Sequence, residues 1–79
     1  MYQDTSKDIL HGRAKELLGR NIKRLRLSLN LSQEQLGLRI NADQAYISRL
    51  ESGLLNPTIE SIAELANALE TNAFILLEP

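Results

Sequence analysis

The sequence predicts an all-α domain, a compact bundle of five helices. Three observations carry this. Apolar residues recur at spacings of three and four along the chain, and alternating runs of β-branched residues are absent. Helix-starting residues stand at Ser32, Asp43 and Thr58. Breaks in the apolar spacing fall between them, at Asn30-Leu31-Ser32, at Asn41 and at Gly53.

The first helix is expected to start near Ser6, where Thr5-x-x-Asp8 approximates a capping box, and to run to Ser28 or Leu29. Its apolar stripe is Leu18, Ile22, Leu25 and Leu29, extended backwards by Leu10, Ala14 and Leu17. Gly12 and Gly19 each weaken it by about 1 kcal/mol relative to Ala. Residues 1–16 therefore read as an N-terminal extension, helical or frayed, and 17–79 as the domain. A second helix starts at Gln33 behind the full capping box Ser32-x-x-Gln35 and turns Leu36 and Ile40 inward. Asn41 ends it, because Asn accepts the left-handed conformation a helix terminus needs. Asp43 caps a third helix that runs to about Ser52, and Gly53 stops it. After the loop signal Asn56-Pro57, Thr58 caps a fourth helix with an expected inner stripe of Ile59, Ile62, Ala66 and Leu69. Glu60 suits the positive end of its dipole. A short fifth helix, Ala73 to Leu77, follows.

A chain of 79 residues has room for one domain. It buries only about 60% of its unfolded surface, so the core is small and built from Leu and Ile. Cysteine is absent, which rules out disulfides and thiolate metal sites and suits a reducing cytoplasm, the expected location. No apolar run approaches the roughly 18 residues of a membrane span, and no signal-peptide core is seen.

The net charge of −1 looks wrong for a nucleic-acid binder, but the distribution is uneven. All nine Lys and Arg lie between Lys7 and Arg49. Residues 1–53 hold nine basic against six acidic side chains, a local +3, and the rest of the chain carries only four acids. Local field attracts phosphates more than total charge does. A solvated surface of mixed charge explains the same asymmetry equally well.

The third helix carries the chemistry. At 100° per residue from Gln44, Asp43, Ile47 and Leu50 cluster at roughly 240–300°, so the two apolar residues face the core. Gln44, Ala45, Ser48, Arg49 and Ser52 fall between about 0° and 140° on the other side. That outer face offers an amide, a guanidinium, hydroxyls and a methyl. Gln matches adenine bidentately, Arg matches guanine, and Ala matches the thymine methyl. In the second helix, Gly37 is small where two helices must approach, and Gln33 stands at a helix N-terminus that favours a phosphate.

Several segments resemble the lambda-repressor-like helix-turn-helix domains, also called the xenobiotic-response-element family. They are Ile22-Lys23-Arg24-Leu25-Arg26, Leu31-Ser32-Gln33-Glu34-Gln35-Leu36, Ile47-Ser48-Arg49-Leu50-Glu51-Ser52-Gly53 and Asn56-Pro57-Thr58. The likeness covers about Leu17 to Leu77. It implies a five-helix domain that binds double-stranded operator DNA, commonly as a homodimer, with helix 43–52 in the major groove. The family's phosphate-contacting Gln maps to Gln33, beside Ser32. Its base-reading positions map to Gln44, Ala45 and Arg49, with Tyr46 and Ser48 nearby. Its backbone-contacting segment maps to Ser52, Asn56 and Thr58. Arg26 and Glu51, both at the rim of the core, are expected to pair. Gly37 and Asn41 stand where the family usually has Ala and Gly, and both exchanges are expected to fit. Asp43 replaces the usual Ser or Thr and is assigned to capping.

Other classes fit less well. His11 is the single His, and no nucleophile–base pair is visible, so an enzyme is not expected, nor is any cofactor or metal. An adaptor, or an antitoxin that covers a toxin, would use the same fold. The apolar end Ala73-Phe74-Ile75-Leu76-Leu77 suits such a partner surface. Phe74, Ile75 and Leu76 are the leading candidates for a homodimer contact, Ile9 and Leu10 the second, while Phe74 and Leu77 equally suit closure of the core. The length leaves no room for a ligand-sensing module, so regulation by concentration, dimerisation or a partner is expected. The operator, the sign of regulation and any linked toxin or restriction–modification system are not legible.

Overall fold

A computed structural model describes residues 13–79. The expected start near Ser6, the Thr5–Asp8 pair, and Ile9, Leu10, His11 and Gly12 lie outside these residues. Five helices follow in order: α1 Ala14–Ser28, α2 Gln33–Arg39, α3 Gln44–Glu51, α4 Ile59–Ala68 and α5 Ala73–Leu76. No strand occurs among the described residues.

The last four helices start on a side-chain cap. The Ser32 hydroxyl accepts from the Gln35 N–H at 3.0 Å, and the Gln35 amide oxygen accepts from the Ser32 N–H at 2.8 Å, which completes the box. Asp43 caps α3 through the Tyr46 N–H at 2.8 Å, and Thr58 caps α4 through the Ser61 N–H at 3.1 Å. Asn72 caps α5, a start signal the sequence reading passed over.

Helices α1 to α4 end on one device. A residue of positive φ is followed by an N–H that reaches back to the third-last carbonyl. The left-handed residues are Asn30, Asn41, Gly53 and Glu70. The closing bonds run from Leu31 to Arg26, Ala42 to Gly37, Leu54 to Arg49 and Thr71 to Ala66, at 2.8–3.0 Å. Glu70 is the surprise, since its Cβ disfavours φ +58°. Arg39 braces this end of α4. Its guanidinium donates to the Ala68 carbonyl at 2.9 Å and lies 3.6 Å from the Glu70 carboxylate.

The core draws on every helix: Leu18 and Ile22, Leu36, Ile47 and Leu50, Leu65, Ala66 and Leu69, and Leu76. Ile40 packs against it half-buried. Two expectations need correction. Ile59 is 82% exposed, and Leu65 takes the inner place instead. Ile59 is in the first turn of α4, where no neighbouring element covers it. Leu76, expected on an exposed dimer surface, is fully buried, Ile75 is half-buried, and Phe74 is 86% exposed. Residues two apart on a helix point about 200° apart, so Phe74 and Leu76 cannot share a face. Phe74 therefore does not close the core.

Two glycines set the helix crossings. A Cβ on Gly19 would run into the Leu50 carbonyl oxygen and come within 2.8 Å of that of Glu51. The residue that weakens α1 locally is what lets α3 cross it. A Cβ on Gly37 would lie 2.7 Å from the Ala42 carbonyl oxygen. The α2–α3 turn thus leaves no room for a Cβ there, and Gly37 fits where the family usually has Ala. Asn21, buried within α1, holds the chain end: its amide donates to the Leu76 carbonyl at 2.9 Å and the Glu78 carbonyl at 2.8 Å.

Candidate nucleic-acid interface

Helices α2 and α3 meet across the tight turn Ile40–Asp43, and both put their first residue on one outer surface. Gln33 and Gln44 each follow an N-cap directly. Their side chains touch: the Gln44 amide donates to the Gln33 amide oxygen at 2.6 Å. Gln33 in turn donates to the Glu51 carboxylate at 3.0 Å. Glu51 receives two bonds from Arg26, 2.6 Å from Nε and 3.0 Å from Nη2. The remaining Arg26 nitrogen donates to the Leu31 carbonyl at 2.8 Å, at the α1–α2 junction.

The direction of this chain follows from chemistry. A carboxylate only accepts, so Gln33 must turn its NH2 toward Glu51. Its oxygen is then left facing Gln44, which must present its own NH2 there. Gln44 retains a free carbonyl oxygen and one free N–H, both on the exposed side. That is the pair adenine requires in the major groove, an acceptor for its N6 amine and a donor for N7. A buried ion pair thereby sets the orientation of an exposed amide.

Arg26 and Glu51 side chains are only 9% and 5% exposed. The hydrogen bonds it donates to Glu51 hold the Arg26 pKa above its ordinary value, against the lowering effect of burial. The guanidinium is charged at every pH the fold meets. Each buried polar side-chain atom among the described residues has a partner, so the pair costs no orphaned group.

On α3, Gln44, Ala45 and Arg49 are exposed and Ser48 is half-buried. Tyr46, expected to assist base reading, packs half-buried against the core. Ser52 and Asn56 are exposed after α3. The oxygens of Ser32 and Thr58 are engaged in their caps, and the Thr58 hydroxyl also meets that of Ser61 at 3.1 Å. A phosphate contact from Ser32 would use its hydroxyl hydrogen alone. Among the described residues, no group of His, Cys, Asp and Glu is placed to hold a metal, and no helix is long and apolar enough to cross a membrane.

Sequence reasoning missed the Gln33–Gln44 contact. The signal was present: both residues take the first position after a cap, in helices joined by a four-residue turn. Away from this surface, Ile59, Ile62, Ala63, Ala73, Phe74 and Leu77 line an apolar cleft of about 230 Å³ between α4 and α5.

This fold and surface define a class, and comparison with known proteins agrees. A family model described as Helix-turn-helix matches residues 22–76. The chain belongs to the lambda-repressor-like helix-turn-helix family of DNA-binding transcriptional regulators. It is 40% identical over 65 residues to the HTH-type transcriptional regulator y4dJ of Sinorhizobium fredii, covering 82% of this chain and 84% of that protein. It is 33% identical over 63 residues to the control protein C.BamHI of Bacillus amyloliquefaciens, covering 78% of each. Among solved structures, a hypothetical transcription factor NHTF from Neisseria superposes with TM-score 0.78 at 31% identity, over 82% of this chain and 75% of that one. The restriction-modification controller protein C.AhdI from Aeromonas hydrophila superposes with TM-score 0.75 at 30% identity, over 80% and 96%.

Proposed function

We propose that this protein binds operator DNA as a homodimer, with α3 in the major groove of each half-site. The observation that carries the reading is the Arg26–Glu51–Gln33–Gln44 chain, which turns a fixed amide edge outward from α3. Gln44, Ala45 and Arg49 read bases, with Ser48 at the edge of the contact. Gln33, Ser32, Ser52 and Asn56 meet phosphates on either side, and Thr58 reaches them only by giving up its bond to Ser61. One recognition helix covers a few base pairs, which discriminates weakly in a genome. A two-fold dimer doubles the contacts and asks for half-sites about 34 Å apart.

The apolar cleft with exposed Ile59, Phe74 and Leu77 supports the dimer, since a surface apolar cluster gains by being covered. A toxin or other protein seated on that cleft is the second reading. Two similar proteins are controllers by name, one of restriction-modification, which favours a regulator over an adaptor.

Selection of bound duplexes from a random pool tests the proposal. Enrichment of a two-fold symmetric site, with half-sites one helical turn apart, is the expected result. A pool that stays random, or binding that ignores salt, would overturn it, because phosphate contacts release counterions and make affinity fall steeply as salt rises.

A further inference from the structure

We propose that the solvent face of α1 is a second phosphate-binding track, carrying Arg20, Lys23 and Arg24, that grips duplex DNA flanking the half-site. The inference rests on the operator reading above and extends its footprint. All three side chains are exposed, and none takes part in an ion pair among the described residues.

The contacts of α1 locate this face. Glu16, Gly19, Lys23 and Arg26 lie three or four apart and form one row along the helix. Three of the four touch the end of α3. Gly19 lies under the Leu50 and Glu51 carbonyls, the Glu16 side chain lies beside Gly53, and Arg26 bonds Glu51. Lys23 lies in the row between Gly19 and Arg26, both of which meet Glu51, and so flanks the last turn of α3; the next residue, Ser52, is exposed. Arg20 and Arg24 flank Lys23 at three residues before and one after, on the side away from the core. Leu18 and Ile22 are buried on the opposite side.

Charge follows the same geometry. A helix in a groove about 12 Å wide has a phosphate strand on each side. One strand passes the start of α2, at Gln33. The other passes the turn after α3, and beyond that turn the surface continues onto Lys23 and the two arginines. The chain beyond Gly53 carries only acids, Glu60, Glu64, Glu70 and Glu78, all exposed. Repulsion on that side and attraction on the α1 side tilt a flanking duplex toward α1. Arginines that served only to solvate the helix would not need this one-sided arrangement.

The experiment measures binding of the full chain to its selected operator against salt, on a minimal duplex and on one extended by about one helical turn at each end. The wild type is expected to bind the longer duplex more tightly and with a steeper salt slope. The variant Arg20→Gln/Lys23→Gln/Arg24→Gln should lose that difference. Its slope on the long duplex should fall by at least about 2, at about 0.9 per phosphate, so a fourfold rise in salt costs it about 16-fold less affinity than wild type. The bases it selects should be unchanged. Arg20→Gln/Arg24→Gln, which keeps Lys23 beside α3, should show part of the effect with unchanged thermal stability. Equal slopes for wild type on the two duplexes, or an unaltered slope in both variants, overturn the second track and leave the operator reading standing. Failure of the wild type to enrich any duplex overturns both.

Discussion

Arg49 is the side chain on α3 with the most specific chemistry, an exposed guanidinium on the outer arc. Arg49→Ala should cost about 1–3 kcal/mol of operator binding and relax the preference at one base pair. Quantitative binding to operators varied one pair at a time checks this, and equal affinity would remove α3 from the groove. On the proposed reading, Gln33 acts on bases at second hand. Gln33→Ala should relax the preference at the pair read by Gln44, although Gln33 reaches no base itself. A double-mutant cycle of Gln33 and Gln44 reads the effect, and additive losses would show that the 2.6 Å bond does not orient the amide. Arg26 answers to stability instead. Its removal leaves Glu51 charged and nearly enclosed, at a cost of about 3–5 kcal/mol. Urea unfolding of Arg26→Ala should show this. A loss below 1 kcal/mol, on the order of an exposed pair, would mean the two charges are better solvated than their burial indicates.

At the scale of elements, local preference and packing pull in opposite directions at Gly19. In an isolated helix, Gly19→Ala would gain about 1 kcal/mol. In the fold it should destabilise, because the new methyl meets the backbone of Leu50 and Glu51, which cannot swing aside as a side chain can. Thermal melting decides the sign, and a raised midpoint would show that α1 and α3 can part without loss. The four helix ends show how much of an element is written locally. Asn30, Asn41 and Gly53 are residues that take positive φ readily, and two of them were legible as stops. Glu70 has no such preference. Its conformation comes from the Arg39 brace and from Leu69, which is buried on one side of the joint.

Over the whole molecule, the two apolar residues of α5 separate assembly from folding. Phe74→Asp should convert a dimer to a monomer that still folds, since Phe74 makes little of the core. Leu76→Asp should unfold the chain, since Leu76 is fully enclosed. Sedimentation at several concentrations tests the first statement. A dimer that survives Phe74→Asp moves the interface off the α4–α5 cleft. Charge is also arranged at this scale: past Gly53 every charged side chain is an acid, two of them on α4, whereas every Lys and Arg lies at or before Arg49.

Sequence alone determined the helices, the caps at Ser32, Asp43 and Thr58 and the outer face of α3, because each depends on residues within four positions of one another. Helical spacing placed Leu18, Ile22, Leu36, Ile47 and Leu50 correctly, and the cap residues act on N–H groups three places on. Even the Arg26–Glu51 partnership was reached, though only through the family resemblance. The tertiary structure decided whatever depends on which neighbour covers a residue. It exposed Ile59 and buried Leu65 and Leu76, because periodicity gives a direction around a helix and not the presence of something to pack against. It made Gly19 and Gly37 crossing points, since a close approach of backbones leaves no trace in local propensity. And it joined Gln33 to Gln44 and Glu51, eleven and eighteen residues distant, where only the meeting of α2 with α3 brings an amide, a carboxylate and a guanidinium within hydrogen-bond reach.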